Sequence, residues 1–179
     1  MKLIPVYAPE HEQVVRVEDS ETGLTGIIAV HSTQLGPAAG GLRMRPYDSF
    51  EVALEDALRL SRGMTFKNAA AGLPLGGGKA VIIGDPARDK SPGLLHAFGR
   101  AVETMQGRYW TAEDMGMTPR DMAEIGTQTT YVAGLAVGDF ASGDPSPITA
   151  QGIFNAIRTT TRHRFGNADL SGRRVSVQG

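Results

Sequence analysis

The sequence contains no cysteine among its 179 residues. This absence excludes disulfides, thiolate nucleophiles and zinc sites built on sulfur, and it makes a secreted domain held together by disulfides an unsuitable interpretation. The four histidines show no spacing typical of metal ligands, so no metal site is expected. We therefore expect a cytoplasmic protein whose chemistry depends on other side chains.

A long apolar run and a strong net charge are also missing. No stretch of about 18 apolar residues occurs, and residues 1–18 lack the basic patch and apolar run of a signal peptide. The formal net charge is -1, which gives no field to attract nucleic acid or acidic lipid. The sequence therefore predicts neither a membrane association nor a nucleic-acid partner.

What the sequence does contain is a regular alternation of short apolar segments and capped helices. Val14–Glu18 and Thr25–His31 are rich in β-branched residues and are separated by a polar stretch that ends in Gly23, which predicts an antiparallel hairpin. Buried or paired strands are also predicted at Lys79–Gly84, at Arg108–Ala112 and at residues 173–179.

Four helices are predicted from their starting residues and from apolar spacing. Ser49 is a plausible cap for a helix that reaches Lys67. The pairs Ser91-Pro92, Thr118-Pro119 and Ser146-Pro147 each combine a capping residue with proline at the first helical position. Residues 133–147 are rich in glycine, proline and small residues, so we predict a domain at 1–135, a linker at 136–146 and the start of a second domain at 147–179.

Gly76-Gly77-Gly78-Lys79 suggests a phosphate-binding P-loop at first sight. That motif needs a further glycine where this chain has Leu73, and a hydroxyl residue after the lysine where it has Ala80. A nucleoside triphosphate site is therefore disfavoured. Three successive glycines still allow backbone to approach a ligand or another strand closely.

Two lysines and one carboxylate are the candidate reactive groups. A buried Lys79 near the second cation Lys67 would have its neutral form favoured, as a catalytic amine requires. Asp114 follows a predicted strand, where a carboxyl group can exchange protons with a substrate. The alternative is structural: Lys67 and Asp114 would cap helices, and Lys79 would begin a strand at the surface. Gly40-Gly41 is a second point of close backbone approach, or a plain turn.

Three segments resemble the glutamate, leucine, phenylalanine and valine dehydrogenases, particularly the leucine and phenylalanine members. They are Gly36–Met44, Gly63–Gly84 and Thr111–Gly116. The block Lys67-Asn68-Ala69, Gly72-Leu73-Pro74 and Gly76-Gly77-Gly78-Lys79 is the most specific part. The resemblance implies an α/β fold, with a mixed-sheet N-terminal domain followed by the first helix and strand of a truncated Rossmann domain.

The same resemblance implies roles for single residues. Lys67 would bind the substrate α-carboxylate, Lys79 would be the catalytic lysine, and Asp114 would shuttle protons. Gly40 and Gly41 would border the substrate, Thr149 would lie near the nicotinamide carboxamide, and Gly179 would begin the glycine fingerprint of an NAD-binding domain. The sequence leaves open whether the cofactor is NAD or NADP. Homo-oligomers are also implied, and the early strands offer an edge for pairing across a two-fold axis.

Ala39 separates this sequence from the glutamate branch of the family. Those enzymes carry a lysine before the glycine pair to hold a side-chain carboxylate, and leucine-preferring members usually carry leucine. Alanine would leave such a carboxylate unpaired, which is costly. We therefore expect a longer enzyme that oxidatively deaminates a branched-chain or aromatic L-amino acid to its 2-oxo acid and ammonia. This chain would be its N-terminal part and would be inactive alone. The alternative is a non-catalytic oligomerisation or amino-acid-binding module.

The sequence also makes a geometric prediction. If the strands begun by Lys79 and ended by Asp114 are parallel, the two residues would be about 15–20 Å apart at roughly 3.3 Å per residue. A shared site then requires Lys79 to lie outside the regular strand, bent by the glycines so that it faces the same cleft as Lys67 and Asp114.

Overall fold

The computed structural model describes residues 1–135 and 143–177. The chain forms two compact units, Met1–Asp144 and a smaller one from Pro145 onward. The strands of the first unit are β1 Lys2–Pro5, β2 Gln13–Asp19, β3 Leu24–Ser32, β4 Ala38–Arg45, β5 Gly76–Ile83 and β6 Tyr109–Glu113. Its helices are α1 Phe50–Ala70, α2 Pro92–Thr104 and α3 Pro119–Gly126. None of the helices described is long and apolar enough to cross a membrane.

The six strands form one mixed sheet in the order β1-β2-β3-β5-β4-β6. The strands β1, β2, β3 and β5 pair antiparallel, whereas β4 runs parallel to both β5 and β6. The predicted hairpin is confirmed, since β2 and β3 pair directly and Gly23 in the turn has a φ of 74°. The predicted α/β fold with a mixed sheet is therefore confirmed, and β4 lies between the strands of Lys79 and Asp114.

Helices cover both faces of this sheet. On one face, the small buried residues Ala53 and Ala57 of α1 pack against Ile27 of β3 and Val81 of β5. On the other face, α2 and α3 contribute Phe98 and other apolar residues to the larger core. Because β5 has strands on both sides and helices on both faces, seven of its eight residues are buried.

The first three predicted helix starts are confirmed by side-chain caps. Ser49 accepts a hydrogen bond from the Val52 amide, and Ser91 accepts one from Leu94. Thr118 forms a reciprocal capping box with Asp121. These contacts satisfy amides that have no partner within the helix, which is why the serine or threonine fixes the first residue.

The second unit consists of one helix and an irregular segment. Helix α4 spans Ser146–Phe165 and ends at Gly166, which has a φ of 79°. The predicted helix is confirmed, although it begins one residue earlier than the proposed cap implies. The strand predicted at residues 173–179 is wrong for residues 173–177, which form no strand, while the last two residues lie outside those described. A strand exists only when a neighbouring strand satisfies its backbone groups.

The position of Lys79 also differs from the prediction. Lys79 lies inside β5, as its fourth residue, and not outside the regular strand. The three glycines belong to the strand because their missing side chains leave room for neighbours: a Cβ on Gly78 would lie 2.7 Å from the Tyr109 ring. Pairing with β3 and β4 on both sides outweighs the low strand propensity of glycine.

Candidate active site

Lys79 and Asp114 meet even though their strands are not neighbours. The Nζ atom of Lys79 lies 2.5 Å from Oδ2 of Asp114. The register explains this contact, because Leu42 of β4 pairs with both Ala80 and Glu113. Lys79 and Asp114 therefore lie at nearly the same level of the sheet, and the assumption that their ordinary ends would be far apart was wrong.

Gly41 in the intervening strand allows the two side chains to approach. A Cβ at this position would lie 2.8 Å from the Asp114 Cβ and 2.7 Å from the Glu113 carbonyl oxygen. At Gly40 a Cβ would lie 1.8 Å from the Gly78 carbonyl oxygen. Both glycines are thus required by close contacts within the sheet, and their predicted contact with substrate stays a prediction.

Burial changes the protonation of Lys79. Its side chain is only 6% exposed, and this burial lowers the pKa of Lys79, although the Asp114 carboxylate opposes the shift. Burial by itself raises the pKa of Asp114, but Lys79 and Arg43 outweigh it and hold that pKa below its usual range. The site therefore favours an ionised Asp114 beside a lysine that loses its proton more readily than one in water.

Arg43 and Asp56 extend this pair and were not predicted from the sequence. Arg43 Nε donates to Asp114 Oδ2 at 3.1 Å, and Nη1 donates to Asp56 Oδ2 at 2.9 Å. Arg43 lies two residues after Gly41, on the same face of β4, and this period-two alternation was the one signal that pointed to it. Asp56 comes from the second turn of α1, so no local pattern links it to Arg43.

Asn68 is a second residue whose role was missed. Its side-chain amide donates to the Gly76 carbonyl oxygen at 2.6 Å and to the Ala39 carbonyl oxygen at 3.3 Å. These bonds fix the last turn of α1 over the starts of β4 and β5. Because Asn68 adjoins Lys67 in the specific motif block, the motif could have directed attention to it.

Lys67 itself is exposed in the last turn of α1. Residues three apart on a helix are surface neighbours, and Met64, one turn earlier, contacts the space beside Gly40. Ala39, which begins the same glycine segment, is partly exposed. These placements are compatible with a carboxylate-binding Lys67 near the glycine pair. That Lys67 faces the same cleft as Lys79 stays a prediction.

The two predicted cofactor residues belong to the second unit. Thr149 is exposed in the first turn of α4, and its backbone amide donates to the Pro145 carbonyl oxygen at 2.9 Å. Gly179 lies outside the described residues. Within residues 1–135 and 143–177, no group of three histidine, aspartate or glutamate side chains is arranged to hold a metal ion.

Comparison with known proteins identifies relatives over nearly the whole chain. The profile of the Glu/Leu/Phe/Val dehydrogenase dimerisation domain matches residues 9–131. Leucine dehydrogenase from Geobacillus stearothermophilus is 54% identical over 95% of this chain and 46% of its own length. Phenylalanine dehydrogenase from Lysinibacillus sphaericus is 50% identical over 94% of this chain and 44% of its own.

Solved structures agree with the fold. The crystal structure of L-tryptophan dehydrogenase from Nostoc punctiforme has a TM-score of 0.70 and 44% identity, covering 91% of this chain and 45% of that one. A glutamate dehydrogenase from Thermus thermophilus, at 24% identity and a TM-score of 0.71, supports the fold alone. The chain thus spans about half the length of the relatives that it matches. The match over residues 9–131 and the identity of about half confirm the resemblance, and the chain belongs to the Glu/Leu/Phe/Val dehydrogenase family.

Proposed function

We propose that this chain is the substrate-binding part of an NAD-dependent amino-acid dehydrogenase. The enzyme would convert an apolar L-amino acid to its 2-oxo acid and ammonia. The observation that carries the proposal is the contact of 2.5 Å between Lys79 and Asp114. A lysine that is 6% exposed and has a lowered pKa gives up its proton more readily than a lysine in water, as a general base requires.

The protons would be handled by residues of this chain. The nicotinamide, when bound, supplies an acceptor for the hydride from the substrate α-carbon. Neutral Lys79 would take a proton from the water that attacks the resulting iminium carbon. Asp114, whose side chain is 29% exposed, would exchange protons with the substrate nitrogen and with solvent. Lys67 would hold the α-carboxylate through its ammonium group.

The residues described fit a nicotinamide cofactor at one position. Thr149 presents an exposed hydroxyl group in the first turn of a helix, where backbone amides and the helix dipole favour polar groups. Its proposed contact is the carboxamide of the nicotinamide. The proposed role of Gly179 rests on sequence resemblance alone. A comparison of NAD with NADP in the same assay tests the choice of cofactor.

The proposed substrate is a branched-chain or aromatic amino acid because Ala39 offers no charge for a second carboxylate. Relatives named leucine and phenylalanine dehydrogenase support the same class. A buried carboxylate without a partner would be costly, so glutamate should be a poor substrate.

A homo-oligomer is also proposed. The matching family profile describes a dimerisation domain, and β1 forms an edge of the sheet with Ile4 41% exposed. Edge strands with unpaired backbone groups readily pair with a second copy. A monomeric mass in solution would refute this assembly.

The test of the function is an assay of the complete gene product. Reduced nicotinamide is measured with L-leucine, L-valine, L-phenylalanine and L-glutamate as substrates. We expect turnover of the apolar substrates and its loss in Lys79→Ala. Lys90→Ala is the matched control, because Lys90 forms a similar ion pair, 2.7 Å from Asp121 of α3. No turnover of the three apolar substrates by the wild type would contradict the proposal.

A further inference from the structure

Arg43 links the Lys79–Asp114 pair to helix α1. Its side chain is 15% exposed and lies between two carboxylates, Asp114 at 3.1 Å and Asp56 at 2.9 Å. It uses Nε for one and Nη1 for the other. A guanidinium can bind two carboxylates at once because its donors point in fixed, different directions, which a lysine ammonium does not offer.

Asp56 is itself held from several sides. Tyr47 donates its hydroxyl hydrogen to Oδ2 of Asp56 at 2.8 Å, and Arg59 donates to Oδ1 at 2.7 Å. The Asp56 side chain is 14% exposed. The carboxylate that faces Arg43 is therefore held both from the loop before α1 and from within α1, so that Arg43 has a fixed partner on this helix.

Arg43 and Lys79 share a single oxygen of Asp114. Both donate to Oδ2, Lys79 at 2.5 Å and Arg43 at 3.1 Å. Lysine can lose its proton, but arginine remains charged at any pH at which proteins fold. When Lys79 becomes neutral, Asp114 therefore keeps one cationic partner, which continues to favour its ionised form.

We propose, as an extension of the function proposed above, that Arg43 is a positioning residue that keeps Asp114 ionised and in place while Lys79 loses and regains its proton, with Asp56 fixing Arg43. Arg43 touches no reacting atom in this scheme. It acts through Asp114, and its role is to separate the titration of the lysine from that of the carboxylate.

The charges around Lys79 determine the direction in which its pKa should move when Arg43 is lost. The ionic groups that act on Lys79 are Asp114 after β6, Arg43 on β4 and Asp56 on α1. On β3, the residue that pairs with Lys79 is the uncharged Ala29. After burial, which is the largest influence, the two aspartates raise the pKa of Lys79 and Arg43 lowers it. Loss of Arg43 should therefore raise the pKa of Lys79.

The test compares three variants of the complete protein. Arg43→Gln should move the acidic limb of the kcat/KM profile to higher pH, because Lys79 must be neutral to act as a base. A shift of about 1 pH unit corresponds to a tenfold lower rate below the limb. Asp56→Asn removes the carboxylate that fixes Arg43, and Asp56 itself acts on Lys79 less strongly than Arg43 does, so the limb should move in the same direction as in Arg43→Gln but less far. Arg88→Gln is the matched control: it removes a cation that pairs with a carboxylate, Asp85 at 3.1 Å, but is 74% exposed and lies outside this network, so the limb should stay in place.

NMR titration of the Lys79 and Asp114 side chains separates this inference from the proposed function, because it requires no turnover. In Arg43→Gln the pKa of both groups should rise, and for Asp114 the rise should be about 1 unit. If the wild type deaminates no amino acid but these shifts occur, the proposed function fails and the role of Arg43 stands. Unmoved titrations in a folded Arg43→Gln protein, or a limb that moves to lower pH in Asp56→Asn, would overturn the inference.

Discussion

Lys79 on β5 and Asp114 after β6 are in contact across β4, with 2.5 Å between Nζ and Oδ2. Gly41 on the strand between them has no side chain to separate them. The contact therefore depends on three strands that are distant in sequence. It accounts for the lowered pKa of Asp114 and gives a prediction about acid stability.

The lowered pKa of Asp114 predicts a stability contribution that depends on pH. A carboxyl group whose folded pKa is depressed stabilises the fold above its unfolded pKa of about 4, and this contribution is lost as the pH falls through the folded pKa. Asp114→Asn should lower the free energy of unfolding at neutral pH by about 1–3 kcal/mol. It should also make this free energy change less between neutral and acidic pH. Urea unfolding between about pH 3 and pH 7 measures both effects.

The exposed Glu21 in the β2–β3 turn provides a control for this experiment, since Glu21→Gln should leave the free energy of unfolding nearly unchanged. Equal acid dependence in the wild type and in Asp114→Asn would show that the ion pair does not contribute to stability.

Gly77 should not tolerate any side chain. An added Cβ would lie 2.2 Å from the Thr65 amide nitrogen and 2.5 Å from the Ser61 carbonyl oxygen, both backbone atoms of α1. Gly77→Ala should therefore push α1 away from β5 and lower the free energy of unfolding by about 3 kcal/mol. The measurement is the midpoint and slope of denaturant unfolding.

Gly63 in α1 is the matched control. A Cβ at Gly63 meets nothing within 4 Å, so Gly63→Ala should raise the free energy of unfolding by about 0.5–1 kcal/mol, because alanine is favoured in helices. If Gly77→Ala raises the free energy of unfolding as Gly63→Ala does, close packing of α1 against Gly77 is not the reason for glycine at that position.

Asn68 should be necessary for fixing the end of α1. Asn68→Ala removes the donors to the Gly76 and Ala39 carbonyl oxygens and should cost about 1–3 kcal/mol of unfolding free energy. Because Lys67 is adjacent, the variant should also raise KM for the amino acid in the complete enzyme. Asn155→Ala, at an exposed position in α4, should change neither quantity. An unchanged KM in Asn68→Ala would show that the helix end does not position Lys67.

Ala39 should influence the choice among apolar substrates. Ala39→Leu fills space that alanine leaves open, so the ratio of kcat/KM for phenylalanine to that for leucine should fall by about tenfold or more. Steady-state kinetics of the complete enzyme with both amino acids measures this ratio. The control is Ala71→Leu at the exposed end of α1, which should preserve it. A ratio that does not change would place Ala39 outside the substrate pocket.

Local signals were sufficient to predict most elements of the fold. The three caps at Ser49, Ser91 and Thr118 satisfy amides within the first helical turn, so a few adjacent residues decide them. The hairpin around Gly23 is equally local. The glycine block identified the family because its spacing is specific, and the relatives confirm that identification.

The limits of β5 and the partners of Asp114 were decided by tertiary structure. Three glycines become part of a strand only because β3 and β4 pair on both sides and Tyr109 and Thr65 occupy the space beside them. Residues 173–177 show the reverse, since this segment with two valines has no paired neighbour and forms no strand.

The sequence alone determined the first three helix starts and the hairpin, and it pointed to Lys79 and Asp114 as candidates, because each of these depends on neighbouring residues or on a specific motif. Only the tertiary structure decided that Lys79 and Asp114 meet across Gly41 and that Arg43 joins them to Asp56. These contacts depend on strand order and register, and those are set by which hydrophobic faces pack together over the whole domain.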